Sequence, residues 1–387
     1  MFRKEEYMVP DTTKINHTTF SPNLYMAIEL SNAGWKLSFT VGLGQAPRLR
    51  SLTARDLTGL LEEIRLSKMR FGLPESAPVV SCYEAGRDGF WLHRYLSAQG
   101  VTNLVVDSAS IEVNRRRRRV KTDRMDVGKL LTMLIRYVQG EKKVWSVIHP
   151  PSPQEEDQRQ LHRELMALKR ERTHHINRIK GLLASQGVSL AIKADFLDQL
   201  EAVRVWDGSG LLEGLRNSLV REHQRYQLVQ EQVHQIELAR LEAIRTANTP
   251  AIQQVRQLLR LRGIGLNSAW LYVMEFFSWR DFRNRRELGS LSGLTPTPYQ
   301  SGDSDHEQGI SKAGNRPIRA MAIEIAWAWL RYQPDSALSH WYQNRFAHGS
   351  SRVRRIGIVA LARKLLIALW QYLELGVIPA GARLHKA

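Results

Sequence analysis

The chain has 387 residues, enough for two or three domains that each bury their own core, so a peptide or a single small module is excluded. Lys and Arg number 56 against 38 Asp and Glu, a net charge of +18 with a pI near 10.2. An ordinary metabolic enzyme does not need that surplus, whereas a polyanionic partner does. Hydrophobic residues at 43% and charged residues at 24% are globular proportions and exclude disorder as the main state.

After a polar lead over residues 1–20, expected to be loosely held, the segment Leu24-Tyr-Met-Ala-Ile-Glu-Leu30 reads as a short buried strand. Ser31 to Gly34 supply turn residues, and residues 35–41 alternate at period two, which predicts a hairpin. A third strand follows over 49–53. A helix follows over 54–69, with Leu57, Leu60, Leu61 and Ile64 at helical spacing. Next come a strand over 78–84, a helix over 88–99, a strand over 101–107 and a helix over 123–138. That order predicts a mixed sheet covered by helices, a domain over 21–149 closed by Pro150, Pro151 and Pro153.

Two long charge-rich stretches, 158–186 and 211–247, carry apolar residues three and four apart (Leu161, Leu165, Leu168; Leu215, Leu219, Tyr226, Val229, Val233, Ile236). They predict an antiparallel helical arm or coiled coil over 150–249. A compact, mostly helical domain is expected over 250–387, with a Gly/Pro/Ser-rich loop at 290–314 and a last helix over 353–375. Trp35, Trp91, Trp327 and Trp329 suit packing roles better than base stacking. The lone Cys82 can form no internal disulfide and reads as a small core residue, and no Cys/His cluster has zinc spacing. Arg3, Lys4, Glu5 and Glu6 interrupt the start, and Arg363 and Lys364 break the last apolar stretch. Neither a signal peptide nor a membrane span is expected, and a cytoplasmic location follows.

Four acidic residues stand out by position. Glu29 and Glu84 lie at the ends of predicted strands that a mixed sheet can bring to one edge. Asp123 and Asp126 are three apart on a predicted helix and share a face. Taken singly, such residues are more often solvated or salt-bridged. Together they are a set of hard oxygen ligands suited to Mg²⁺, with Mn²⁺ as its substitute, of the kind that offsets charge in phosphoryl transfer.

The order Tyr83-Glu84-Ala85, then Lys121-Thr-Asp123-Arg-Met-Asp126, resembles the RuvC-like DEDD domain of the RNA-guided insertion-sequence transposases, the group named after insertion sequence one-hundred-and-ten and its eleven-eleven relatives. The resemblance implies an RNase H-like fold and makes Glu29, Glu84, Asp123 and Asp126 the metal-binding tetrad. The family pattern has Asp where this chain has Glu29, which adds a methylene at that corner. Asp107, at the end of the fifth strand, is a spare candidate.

Residues 294–304 carry Ser301 and Ser304 in a segment stiffened by Thr295-Pro296 and Thr297-Pro298, with Gly302 open to close backbone approach. By itself Ser-Gly is a weak signal and the default reading is a surface turn. The following Gly309-Ile-Ser-Lys312-Ala-Gly314-Asn315-Arg316-Pro-Ile-Arg319 opens a helix with cations and small residues suited to phosphate oxygens. Together the two segments resemble the transposase domain of the same family, in which a serine before glycine attacks DNA. That makes Ser301 the implied nucleophile and Ser304 the less favoured one. His306 reads as a solvated loop residue.

Leu261-Arg-Gly263-Ile-Gly265 resembles the turn of a helix-hairpin-helix module, whose amides hold phosphates; a plain helix cap fits almost as well. Arg115, Arg116, Arg117, Arg118 and Arg119, with Lys121, precede the Asp123 pair. A solvated charge run needs no function, yet six cations beside carboxylates would hold a phosphate backbone.

The resemblance implies a DNA strand-exchange enzyme, a transposase that works through a covalent phosphoserine with Mg²⁺. A structured bridge RNA would pair with donor and target DNA, and the protein would act as a homo-oligomer, a dimer of dimers, in the bacterial cytoplasm at the nucleoid. The alternatives are a Mg²⁺-dependent RuvC-like nuclease that hydrolyses branched DNA and a non-catalytic nucleic-acid-binding scaffold.

Overall fold

A computed structural model describes residues 22–111, 123–301 and 304–385; of these, the side chains at 109, 123–126, 298–301 and 304–308 are outside the description. The chain divides into two compact units, Met1–Pro150 and Pro151–Ala387.

In the first unit a six-stranded sheet has the order β3-β2-β1-β4-β5-β6, with β1 Leu24–Glu29, β2 Gly34–Thr40, β3 Arg48–Thr53, β4 Val79–Glu84, β5 Thr102–Val106 and β6 Val147–Ile148. β1, β2 and β3 form an antiparallel meander, β1, β4 and β5 run parallel, and β6 closes the edge antiparallel to β5. Ser31 holds the first turn, its hydroxyl donating to the Gly34 carbonyl at 2.6 Å.

Alternate residues feed two cores, as a pleated strand requires. Leu24, Met26 and Ile28 of β1 and Val79 and Tyr83 of β4 pack on one face beneath helices α1 Leu57–Arg70 and α2 Trp91–Ala98. Tyr25, Ala27, Val80 and Cys82 face the opposite way, under α3 Asp123–Val138 with its Val127, Leu130, Leu131 and Leu134. α1 is capped by Asp56, which accepts from the Gly59 amide at 2.8 Å. The order βββαβαβα agrees with expectation. Only β6 is additional, two residues being too few to carry a pattern.

The second unit begins with α4 Pro153–Gln158, set by a Ser152/Glu155 capping box. The arm is α5 Gln160–Ala184 packed against α7 Glu213–Thr246, with the short α6 Phe196–Ala202 at its far end. Lys169 pairs with Glu237, Arg172 with Gln230 and His175 with Glu222, so partners descend along α7 as they rise along α5 and the pair is antiparallel. Leu165 and Leu168 meet Val229, Val233 and Ile236 in between.

The remaining helices are α8 Pro250–Leu259, α9 Leu266–Tyr272, which widens into a π turn over Val273–Phe277, α10 Arg285–Ser292, α11 Arg316–Tyr332, α12 Ala337–Tyr342 and α13 Ser351–Leu375. Residues 290–314, expected as a loop, contain a two-stranded hairpin, β7 Pro296–Ser301 and β8 Ser304–Ile310. Prolines and glycine masked it, because a two-stranded ribbon needs no apolar alternation. α13 is long and apolar enough by composition to cross a membrane, but Leu361, Ala362, Leu365, Leu366 and Leu369 lie in the core of this unit.

The arm is tied to these helices by side chains. Buried Glu275 accepts from Arg159 at 2.9 Å and from Arg163 at 2.8 Å, and Arg240 of α7 donates to Asn267 at 2.8 Å while lying over the Trp270 ring. Burial raises the Glu275 carboxyl, but its hydrogen bonds from Arg163 and Arg159 prevail and hold it below the usual carboxylate range.

Candidate active site

The register of parallel strands builds the acidic site. Ile28 pairs with Tyr83, so Glu29 and Glu84 follow side by side at the C-terminal ends of β1 and β4, the edge where open parallel sheets hold ligands. Alternation puts both on the α3 side, because Ala27 and Cys82, two residues earlier, pack there. They line a cleft of about 450 Å³ with Leu30, Tyr83, Ala85, Arg87, Asp88 and Leu130 of α3. Asp107 follows β5 at the same edge, where its amide donates to the Ser146 carbonyl at 3.0 Å.

Asp123 opens α3, and Asp123 and Asp126 stand seven and four residues before Leu130, on the same helical stripe. Their side chains lie outside the described residues. So do Arg115, Arg116, Arg117, Arg118, Arg119 and Lys121 in their entirety. Among the described residues, no three His, Cys, Asp or Glu side chains come together to hold a metal ion. Sequence reasoning missed Arg87 and Asp88, 4.0 Å apart on the cleft wall. The turn residues Gly86 and Gly89 flanking them directly after a strand end were the available signal. This wall is fixed at its root, where the Ala85 amide donates to the Val106 carbonyl at 2.8 Å and the Tyr83 hydroxyl to the Gly89 carbonyl at 3.2 Å. Burial and the nearby Glu84 carboxylate push the Cys82 thiol up, so it is a neutral core group, as expected.

In the second unit Ser301 and Ser304 face each other across the tip of the hairpin, one residue on each strand. Their side chains, and that of His306, lie outside the described residues. The hairpin root is well defined. Gly293 ends α10 at φ +69°, where a Cβ would stand 2.0 Å from the Ala313 carbonyl oxygen. Gly314, at φ +71°, would place one 2.1 Å from that of Leu291. These two glycines let residues 311–315 lie against the end of α10, where the Lys312 amide donates to Gly293 and the Asn315 amide to Leu291.

The cations and amides predicted to hold nucleic acid divide here. Asn315 caps α11, accepting from the Ile318 amide at 3.1 Å, and Arg319 donates to the Ala313 carbonyl at 3.0 Å; both hold the root together. Lys312 and Arg316 are exposed beside it. Gly263, at φ +88°, and Gly265 form the α8–α9 turn. The turn packs on Tyr332 and Ala328 of α11 and borders a groove of about 400 Å³ that also holds Glu237, Asn267, Ser268 and Glu324. Trp35 and Trp329 are buried as expected; Trp327 is half exposed, on the outer stripe of α11.

The family model described as "Transposase IS116/IS110/IS902 family" matches residues 255–358, from α8 through the hairpin to the start of α13. "Putative transposase y4rJ" of Sinorhizobium fredii is 41% identical over 374 residues, 93% of this chain and 94% of that protein. This chain belongs to the IS116/IS110/IS902 transposase family. More distant transposases of the same kind are those of the insertion sequence elements IS1328 from Yersinia enterocolitica and IS1111A from Coxiella burnetii. The first is 28% identical across 58% of this chain and 65% of the relative. The second is 27% identical across 53% and 55%. The y4rJ alignment spans both units, so the family assignment covers the cleft as well as the hairpin.

Proposed function

We propose that this transposase family member is a bridge-RNA-guided DNA recombinase whose Ser301 forms a covalent link to DNA. The carrying observation is the pairing of Glu29 and Glu84 on one face of the sheet edge, on the side where α3 begins with Asp123 and Asp126. Meander and parallel strands in the order β3-β2-β1-β4-β5 support reading the first unit as an RNase H-like, RuvC-like domain.

In this reading the Ser301 oxygen bonds to the scissile phosphorus while a strand oxygen departs, and the proton that serine gives up ends on the departing oxygen. A hydroxyl of the partner strand then reverses the exchange, forming a new phosphodiester and returning serine. The energy of the original bond is kept in the serine ester, so no cofactor is consumed. Carboxylate oxygens suit a hard divalent cation, and Glu29, Glu84, Asp123 and Asp126 would hold Mg²⁺, with Mn²⁺ as its substitute. When bound, it supplies positive charge against the phosphate. Donor and target DNA, a structured RNA and further copies of the chain, as a dimer of dimers, would complete the assembly, consistent with the +18 charge.

The test is a denaturing gel of purified protein with labelled element-end DNA, cognate RNA and Mg²⁺. A protein-linked strand should form and should disappear in Ser301→Ala and in Asp126→Asn. Strand cleavage by Ser301→Ala at the wild-type rate, with no adduct in either protein, would establish simple hydrolysis in its place.

A further inference from the structure

Between Asp335 and Glu374 the chain carries no Asp or Glu, while Arg345, Arg352, Arg354, Arg355, Arg363 and Lys364 all fall within that stretch. The structure sorts these six cations. Lys364 lies over the Trp341 ring at 4.8 Å, and Arg363 packs against Gly289 of α10. The other four stand on one shoulder of the second unit. Ser351 to Ile356, the first turn and a half of α13, are all exposed, and so are Arg345 and His348 just before them. Among the described residues no carboxylate pairs with Arg345, Arg352, Arg354 or Arg355, and Asp335 pairs with Arg383.

The shoulder is rigid. Phe346 sits so close to α13 that a Cβ on Gly357 would stand 2.4 Å from its ring, and Gly349 makes the same allowance for Val353 at 2.5 Å. The Tyr342 ring stacks on Phe346, and its hydroxyl reaches the Arg354 carbonyl at 3.4 Å. The turn holding Arg345 is thereby folded against the turn holding Arg354 and Arg355. The backbone that carries these arginines is thus held in place; Arg355 donates to the Ser351 carbonyl and hydroxyl of its own helix, and exposed guanidiniums present planar forks that match paired phosphate oxygens.

We propose that Arg345, Arg352, Arg354 and Arg355 form a docking surface for the phosphate backbone of duplex DNA. It would be separate from the hairpin tip and would read no sequence. The proposal rests on the reading of the chain as a DNA recombinase and locates one surface through which it grips its substrate.

The experiment measures affinity of the full chain for a labelled duplex at several salt concentrations, for wild type and for the triple variant Arg352→Gln, Arg354→Gln, Arg355→Gln. Each lost phosphate contact should lower the slope of log K against log salt by about 0.9, so the triple variant should lose about 2.7. The triple Arg→Lys variant keeps the charges and should keep the slope. An unchanged slope in the Gln variant, with wild type binding duplex normally, overturns the shoulder and leaves the recombinase reading standing. Duplex binding equal to wild type with weakened binding of structured RNA assigns the surface to RNA and overturns it for DNA. Absence of salt-sensitive duplex binding in wild type overturns the recombinase reading and the shoulder with it.

Discussion

The cleft of the first unit and the hairpin of the second hold their candidate groups by different physics. Glu29 and Glu84 are placed by backbone register. Once β1 and β4 pair in parallel with Ile28 beside Tyr83, two carboxylates stand together whatever the surrounding side chains do. Ser301 and Ser304 sit at the end of a two-stranded ribbon with no sheet around it, so their position depends on the root, where Gly293 and Gly314 admit a carbonyl too close for any other residue. A sheet edge distributes placement over many ladder bonds, whereas a ribbon concentrates it at one tight contact.

That contrast is open to direct attack. Ile28 is fully buried one residue before Glu29, and Ile28→Ala should cost about 2–5 kcal/mol. In urea unfolding only the first unit's transition should move; a common shift of both would mean the units do not unfold separately. Gly314→Ala should cost about 1–3 kcal/mol through the left-handed backbone alone, before the clash with Leu291 is counted. Its sharper consequence is loss of the protein–DNA adduct with the first unit's stability intact; retention of the adduct would show that the root does not position the serine.

The smallest effect is a pH dependence of the second unit alone. Burial, then the neighbouring Arg240 charge, lowers His162 from 6.5 to about 4. A folded pKa below the unfolded one means the unfolded chain binds more protons, so stability is complete above pH 6.5 and falls as pH drops toward 4. About 1 kcal/mol should be lost between pH 7 and 5.5. His162→Leu should flatten that slope in pH-dependent urea unfolding; an unchanged slope would point to other groups.

Much of the fold was legible along the chain. The β1 apolar run, the Ser31 turn and the spacing in α3 are local patterns, and the structure reproduces them. The arm was legible too, since Leu165, Leu168, Val229, Val233 and Ile236 keep helical spacing over many turns. The serine hairpin was not, because prolines and glycines signal irregular chain and a ribbon outside the core needs no apolar alternation. Asn315 and Arg319 read from sequence as phosphate ligands, and the cap and carbonyl bonds they make were not legible there because they use the same donors and acceptors that a ligand would.

The sequence alone determined which residues could do chemistry with phosphate: its charge surplus, its strand-end acids and its serine before glycine are matters of residue type and local period. Tertiary structure alone decided which of them meet. Parallel pairing joined Glu29 to Glu84 across more than fifty intervening residues. Packing left four arginines of one shoulder without a carboxylate among the described residues. Those outcomes depend on contacts between residues distant along the chain, and local pattern holds no record of them.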